Sequence, residues 1–157
     1  KLQDEDALPT QLYLSTNAAD YESFIKINKP KYDDSWERWN RTLDMLKNLD
    51  TRTVLRITLI RDYNDQKDMI PAFADMFRKA SPHFIEIKSY MHIGRSTNRL
   101  EHENMLEMHE VKKFSEEIAK QSKIFSIMDE SLVSRISILQ NNERFIDRWI
   151  PAYSNTN

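Results

Sequence analysis

Lys88 is the residue whose type and position point most directly to chemistry in this sequence. It ends an apolar run, Phe84-Ile85-Glu86-Ile87-Lys88, that has the length of a buried strand. An ammonium group is costly to bury unless it is paired or used in a reaction. Lys88 is therefore either an ion-pair partner or a reactive amine. The chain's single glycine, Gly94, follows closely and predicts a loop after this strand.

Polar side chains share one face of each predicted strand, because successive side chains of a strand point to opposite faces. The polar set comprises Gln11, Tyr13, Ser15 and Asn17 in the first strand, Arg56 and Thr58 in the second, Glu86 and Lys88 in the third, and Arg135 and Ser137 in the last. In a barrel the outer face meets helices, so we expect the polar set inside, with a site at the carboxyl ends of the strands. The pattern predicts an interior that binds a polar ligand, although a structural ion pair explains Arg56 and Glu86 equally well.

The composition is that of one ordinary globular domain and excludes several functional classes. Of the 157 residues, 39% are hydrophobic and 31% are charged, and the net charge of -2 does not by itself indicate nucleic-acid binding. The absence of cysteine excludes disulfides and thiolate-held metal within these residues. No apolar run has membrane-spanning length, and the first residues lack the pattern of a signal peptide. We therefore expect a cytoplasmic protein with no membrane partner.

Apolar runs of strand length alternate with segments of helical period, which predicts an α/β fold with parallel strands. The predicted strands are residues 12–16, 54–60, 84–88, 124–128 and 132–139. Predicted helices cover residues 20–27, a segment that starts at Asp34 or Ser35, and two further segments marked by Phe73 and Phe114. Residues 151–157 are predicted to form a loose tail.

Several segments, in order along the chain, carry a resemblance to a known family. They are residues 9–15 (PTQLYLS), 52–60 (RTVLRITLI), 84–94 (FIEIKSYMHIG), 98–100 (NRL), 129–131 (DES) and 134–135 (SR). In this order they resemble the tRNA 4-demethylwyosine synthases. The similarity runs from about Pro9 to Leu139 and so covers most of the chain.

The resemblance implies a fold and a reaction. The fold is the C-terminal portion of an open partial (β/α) TIM-like barrel of the radical SAM type, formed by residues 1–140, with residues 141–157 as a partly loose extension. The family forms 4-demethylwyosine from N1-methylguanosine in tRNA-Phe and pyruvate, a step of wybutosine biosynthesis. A [4Fe-4S] cluster cleaves S-adenosyl-L-methionine to a 5′-deoxyadenosyl radical, which abstracts hydrogen from the N1-methyl group so that the carbon radical joins two pyruvate carbons. The implied partners are tRNA-Phe, pyruvate and a reductant, either a flavodoxin-like domain or a separate protein.

The resemblance also implies roles for residues of this chain. Lys88 matches the family's lumen lysine and is expected to hold pyruvate as a Schiff base or by a charge contact with its carboxylate. The residues expected to contact S-adenosylmethionine are Ser15, Asn17, Arg56, Glu86 and Met91. Those expected to contact the tRNA are Tyr90, His92, Arg95, Ser96, Arg99 and Arg135.

The sequence departs from the family pattern at two points. The cluster motif CxxxCxxC is absent, and no residue here replaces three thiolates. We therefore expect no metal ligand in this segment, no activity of the segment alone, and an N-terminal half of the barrel that is missing by cloning, proteolysis or evolution. Arg95 stands where relatives more often carry an aromatic residue, which leaves its contact with the base open.

Two other classes of function remain open from the sequence. A class I aldolase-like lyase also uses a strand lysine as a Schiff base without a cluster. A non-catalytic RNA-binding remnant would bind tRNA without needing Lys88. The acidic run from Glu101 to Glu110 contains His102 and His109 but lacks the spacing of a metal site, so it predicts a solvated surface segment.

Overall fold

The computed structural model of the chain describes residue 5 and residues 7–150. The predicted loose tail, residues 151–157, lies outside the described residues. Across the described part of the chain, no helix combines the length and apolar character needed to cross a lipid bilayer.

Five β-strands and four α-helices alternate along the described residues in the predicted order. Their bounds are β1 Gln11–Ser15, α1 Tyr21–Asn28, α2 Ser35–Leu46, β2 Arg52–Leu59, α3 Ile70–Ala80, β3 Phe84–Ser89, α4 Met108–Ser122, β4 Phe125–Ser131 and β5 Ile136–Asn141. The ends differ from the predicted ones by a few residues. The alternation of strand and helix predicted from the sequence is confirmed.

Side chains fix where two of the helices begin. The Asp20 carboxylate accepts a hydrogen bond of 2.9 Å from the backbone N–H of Ser23, which satisfies a free donor in the first turn of α1. Helix α4 begins with a capping box in which Glu107 and Glu110 bind each other's backbone N–H groups.

The sheet is mixed rather than wholly parallel. Its strand order is β1-β2-β3-β5-β4, with β1, β2 and β3 parallel, and β5 antiparallel to both β3 and β4. The prediction of parallel strands is therefore wrong for β5. Only residues 132–135 join β4 to β5, and so short a connection forms a hairpin, whereas a parallel crossover needs a much longer segment.

The predicted facing of the last strand is also wrong. Ile136 pairs with Lys88 and Ile138 with Glu86, so both isoleucines lie on the polar face of β3. Ser137 pairs with Ile87 on the opposite face and is fully buried. Hairpin pairing fixes this register, and it overrides the polar and apolar alternation of β5.

The helices α3 and α4 cover the aliphatic face of the sheet. Strand residues such as Ile57 and Ile87 form one buried cluster with helix residues such as Phe73, Phe114 and Ile118. Burying a side chain of this size contributes about 2 kcal/mol to stability. The opposite face, which carries Tyr13, Arg56, Thr58, Glu86 and Lys88, is called the open face below.

Candidate active site

The open face brings together the predicted polar side chains of three neighbouring strands. Ser15 pairs with Arg56, Arg56 with Glu86, and Thr58 with Lys88. Because paired residues of neighbouring strands point to the same side, these side chains share one surface. Lys88 thus lies one pleat beyond Glu86, at the carboxyl ends of the parallel strands.

Arg56 and Glu86 form an ion pair in the middle of the open face. The Arg56 Nε donates to Glu86 Oε1 at 2.8 Å, and Nη2 lies 3.4 Å from Oε2. The Arg56 guanidinium also lies 4.5 Å from the centre of the Tyr13 ring. Burial is the main cause that raises the pKa of the Tyr13 hydroxyl, and the nearby Glu86 carboxylate raises it further. Glu86 is buried and both of its oxygens face Arg56, so the pair positions the site and leaves little of the carboxylate for a ligand.

Lys88 differs from Arg56 because its charge has no partner among the residues that the structure describes. Its side chain is half-buried between the strand partners Thr58 and Ile136. Its ammonium makes no hydrogen bond or ion pair with residue 5 or residues 7–150. In this setting the ammonium form is available to an anionic ligand, and the neutral amine form is available to react with a carbonyl carbon.

The two predicted residues at the end of β1 have different roles. Asn17 binds groups of the neighbouring strand and loop. Its Oδ1 accepts a hydrogen bond from the Thr58 N–H at 3.0 Å, and its backbone carbonyl accepts one from the Asn64 side-chain amide at 3.0 Å. Asn64 is fully buried and also donates to the Thr58 carbonyl at 2.9 Å. Asn17 therefore fastens β1 to β2, whereas Ser15 is exposed at the edge of the site.

A small aromatic cluster follows β3 at the rim of the open face. The Tyr90 hydroxyl lies 3.1 Å from His92 Nδ1, and the His92 ring meets His102 edge to face at 6.0 Å between centroids. The His92 backbone N–H donates to the Met105 sulfur at 3.4 Å. Met91, between the two predicted RNA contacts, is 36% exposed. Tyr90 is buried, so the accessible rings of this cluster are those of His92 and His102.

The next turn contains the remaining loop residues of the predicted site. Gly94 has a φ of 62°, a left-handed conformation that glycine adopts without strain, and a Cβ there would meet no atom within 4 Å. The Ser96 hydroxyl donates to the Ile93 carbonyl at 2.7 Å and so stabilises the turn. Arg95 and Arg99 are exposed.

Arg135 does not point into the open face as the sequence predicted. Its Nη1 donates to the Leu106 carbonyl at 3.0 Å, and Nη2 lies 3.2 Å from a Glu107 carboxylate oxygen. Its backbone has a φ of 49° in the turn between β4 and β5, so it precedes the strand rather than lying in it. The guanidinium anchors the segment before α4.

Sequence reasoning missed Arg61, which fixes the same segment from the other side. Its guanidinium binds both oxygens of Glu110, at 2.6 and 2.7 Å, and the carbonyls of Glu103 and Met105, at 2.9 and 3.0 Å. The hydrogen bond from Arg61 lowers the pKa of the Glu110 carboxyl. The prediction of a solvated acidic run is therefore wrong at Glu110. A lone arginine beyond a strand gives no sequence signal for this contact.

Comparison with known proteins places the chain in a family. Residues 79–141 match the family model for wyosine base formation. The chain is 43% identical over 141 residues to the S-adenosyl-L-methionine-dependent tRNA 4-demethylwyosine synthase of Methanocaldococcus jannaschii, an alignment that covers 88% of this chain and 43% of that relative. This chain belongs to the tRNA 4-demethylwyosine synthase family.

Other members of the family support the assignment. The Pyrococcus abyssi synthase is 38% identical over 139 residues, covering 88% of this chain and 40% of the relative. A solved structure described as TYW1 with a lysine-pyruvate adduct bound superposes with a TM-score of 0.80 at 40% identity, over 91% of this chain and 44% of that one. The chain thus spans about two fifths of the length of these two archaeal relatives, and its mixed α/β sheet is the fold of the family.

Proposed function

We propose that this chain is part of a tRNA 4-demethylwyosine synthase, which forms 4-demethylwyosine from N1-methylguanosine in tRNA-Phe and pyruvate. The observation that carries the proposal is the unpaired ammonium of Lys88 among the described residues of the open face. The family membership supports it, as does a similar fold in a protein that holds a lysine-pyruvate adduct.

The proposal includes a barrel. The sheet would be part of an open (β/α) barrel of the radical SAM type, built by residues 1–140, with residues 141–157 as its extension. Three parallel strands with helices on one face and polar side chains on the other support it.

The residues of this chain fit only part of the cofactor set. The sequence contains no cysteine, so these 157 residues provide no thiolate for a [4Fe-4S] cluster, and the cluster ligands would lie outside them. When bound, S-adenosylmethionine and the cluster would supply the radical that removes hydrogen from the substrate. Ser15 and Met91 are exposed at the rim and suit contact with S-adenosylmethionine, whereas Asn17, Arg56 and Glu86 act by positioning, because Asn17 Oδ1 binds the Thr58 N–H and Arg56 binds Glu86.

Lys88 would bind pyruvate on the open face. As an ammonium it neutralises the pyruvate carboxylate; as a neutral amine it attacks the keto carbon, and loss of water gives a Schiff base. Because Glu86 neutralises Arg56, Lys88 is the charge of these three residues that favours an α-keto acid over a neutral ligand.

The rim would bind the RNA. The partly exposed His92 ring offers a stacking surface for an exposed base, with the buried Tyr90 holding it through its hydroxyl, and the guanidinium groups of Arg95 and Arg99 are exposed to meet phosphates. A flavodoxin-like domain or protein would deliver electrons.

The test uses the complete protein under anaerobic conditions with reductant, S-adenosylmethionine, labelled pyruvate and tRNA-Phe that carries N1-methylguanosine. Wild-type protein is expected to give tRNA with the mass of labelled 4-demethylwyosine. Lys88→Met, which keeps an unbranched side chain up to the position of the lysine Cε and removes the amine, is expected to lower the rate about 100-fold or more. Lys120→Met, at a lysine on the outer side of α4, is the matched control and is expected to leave the rate unchanged. Absence of product from the wild type would refute the proposed function.

A further inference from the structure

The turn between β4 and β5 projects from the sheet beside Lys88. Ser131 and Ile136 form the last pair of the hairpin, and Ile136 also pairs with Lys88 on β3. Residues 132–135 therefore extend past the edge of the sheet where the parallel strands end. These four residues are called the hairpin tip below.

The outermost side chains of the hairpin tip are apolar and exposed. Leu132 is 73% exposed and Val133 is 93% exposed. Tight turns favour glycine, asparagine, aspartate, proline and serine, and a β-branched residue such as Val133 gives no advantage to the turn itself. Because folding of the described chain does not account for these two side chains, they are available to a binding partner.

Hydrogen bonds of Arg135 anchor the base of the hairpin tip beside the candidate site. The Arg135 carbonyl accepts from the Ser89 N–H at 3.0 Å, and the Arg135 N–H donates to the Leu132 carbonyl at 3.3 Å. The Arg135 guanidinium also binds the Leu106 carbonyl at 3.0 Å. A preorganised apolar projection loses little conformational freedom when it is buried by a partner.

The location of the hairpin tip identifies its partner by chemistry. An enzyme that modifies a base inside a concave site must take that base out of its stack, and the gap that remains in the RNA exposes the faces of neighbouring bases. Apolar side chains of other proteins enter such gaps and hold the bases apart. The exposed Arg95 and Arg99 follow β3 at the same edge and offer charge for the adjacent phosphates.

We propose that Leu132 and Val133 pack against the unstacked bases next to the guanosine that enters the open face. This inference rests on the proposed function and adds a contact with RNA that is separate from the open face. The hairpin tip then acts as a wedge, and it contributes to RNA binding without touching pyruvate.

The test compares the wild-type complete protein with the double variant Leu132→Ser/Val133→Ser. The probe is tRNA-Phe with N1-methylguanosine and with 2-aminopurine as its neighbour, whose fluorescence rises when it leaves the stack. The wild type is expected to raise the fluorescence on binding. The double variant is expected to show little of this rise and to bind the tRNA about tenfold more weakly, because serine cannot replace the apolar packing against the bases. Pyruvate binding is expected to stay unchanged.

Met45→Ser is the matched control, since Met45 is 59% exposed on α2, outside the hairpin tip. Thermal unfolding checks that each variant is folded. Wild-type fluorescence and affinity in the double variant would overturn the inference while product formation by the wild type leaves the proposed function intact. A dimer in sedimentation that the double substitution dissociates would also overturn it, because the tip would then bind a second copy of the chain.

Discussion

At the scale of single residues, the open face carries one ion pair, Arg56 with Glu86, and one lysine, Lys88, that has no ion-pair partner among the described residues. Arg56 and Glu86 are joined by a 2.8 Å hydrogen bond, and Glu86 is buried. Lys88 lies on the same face without an anion among the described residues. The first two residues therefore support the site, and Lys88 is the one left for a ligand.

Arg56→Ala tests the supporting role of the ion pair. The change leaves the Glu86 carboxylate buried without its partner, so we expect the free energy of unfolding in urea to fall by about 2 kcal/mol, below the range for fully buried pairs because Arg56 is partly exposed. Arg38→Ala removes one partner of an exposed pair with Asp34 and serves as the control, with an expected loss much smaller than that of Arg56→Ala. Equal losses in the two variants would show that the Arg56–Glu86 pair gives no special support.

His83 gives a prediction about pH. Its Nδ1 accepts from the Thr53 N–H at 3.1 Å, and burial, with Arg144 and Arg52 nearby, lowers its pKa from 6.5 to about 4. As the pH falls from 6.5 to 4, the unfolded chain binds a proton at this histidine that the folded chain does not, so the free energy of unfolding decreases across this window. Above pH 6.5 the histidine is neutral in both states and does not reduce stability. We expect a loss of about 2 kcal/mol, less than the whole shift would give because solvent screens the ring in part.

Urea unfolding of His83→Gln between about pH 4 and 7 measures this effect. The variant is expected to be less stable at neutral pH and to show a flatter decline towards acid than the wild type. A wild-type slope in His83→Gln would show that this histidine does not titrate as described.

At the scale of elements, Arg61 connects the end of β2 to the segment before α4. It binds Glu110 through two hydrogen bonds and two backbone carbonyls of that segment. The segment also carries His102 and Met105, which contact His92 at the rim. Arg61 therefore stabilises the position of the aromatic cluster indirectly, through this segment.

Arg61→Ala is expected to loosen residues 101–107. Bidentate pairs of arginine with a carboxylate are strong, so we expect amide hydrogen exchange in this segment to speed up about tenfold or more, while exchange in β2 and β3 changes little. Arg78→Ala, which removes an exposed ion pair of α3, is the control and is expected to leave the segment unchanged. Unaltered exchange in Arg61→Ala would show that other contacts hold the segment.

The elements also show what the sequence can and cannot predict. Periodicity located every strand and α-helix of the described chain, and parity placed Arg56, Glu86 and Lys88 on one face because β2 and β3 alternate cleanly. The same rule failed for β5, where Ser137 faces the helices, because the hairpin rather than the alternation sets its register. The contacts of Arg61 and Arg135 depend on loops that meet in space, and a single sequence carries no signal for them.

At the scale of the whole molecule, residues 143–150 close the open face at the amino ends of the parallel strands. The Arg52 guanidinium donates to the carbonyls of Asp147, Arg148 and Trp149. Together with Arg148 and strand residues such as Phe84, it lines a cavity of about 90 Å³ under this segment. The site is thus open at the edge of Lys88 and covered at the other end.

Arg52→Ala is expected to release residues 143–150. Because alanine cannot donate to the three carbonyls that Arg52 binds, trypsin is expected to cleave after Arg144 about tenfold faster in the native protein. Arg41→Ala, at an exposed arginine of α2, is expected to be cleaved at the wild-type rate. If both variants are cleaved alike, Arg52 does not hold the segment.

Pyruvate binding to the complete protein decides whether Lys88 on the open face meets the keto acid. Calorimetry compares the wild type with Lys88→Met and the control Lys120→Met, and borohydride reduction followed by peptide mass analysis shows whether the contact is covalent. We predict that Lys88→Met lowers the affinity at least about tenfold and that Lys120→Met does not, whether or not reduction traps an adduct. Wild-type affinity in Lys88→Met would refute the role of this lysine.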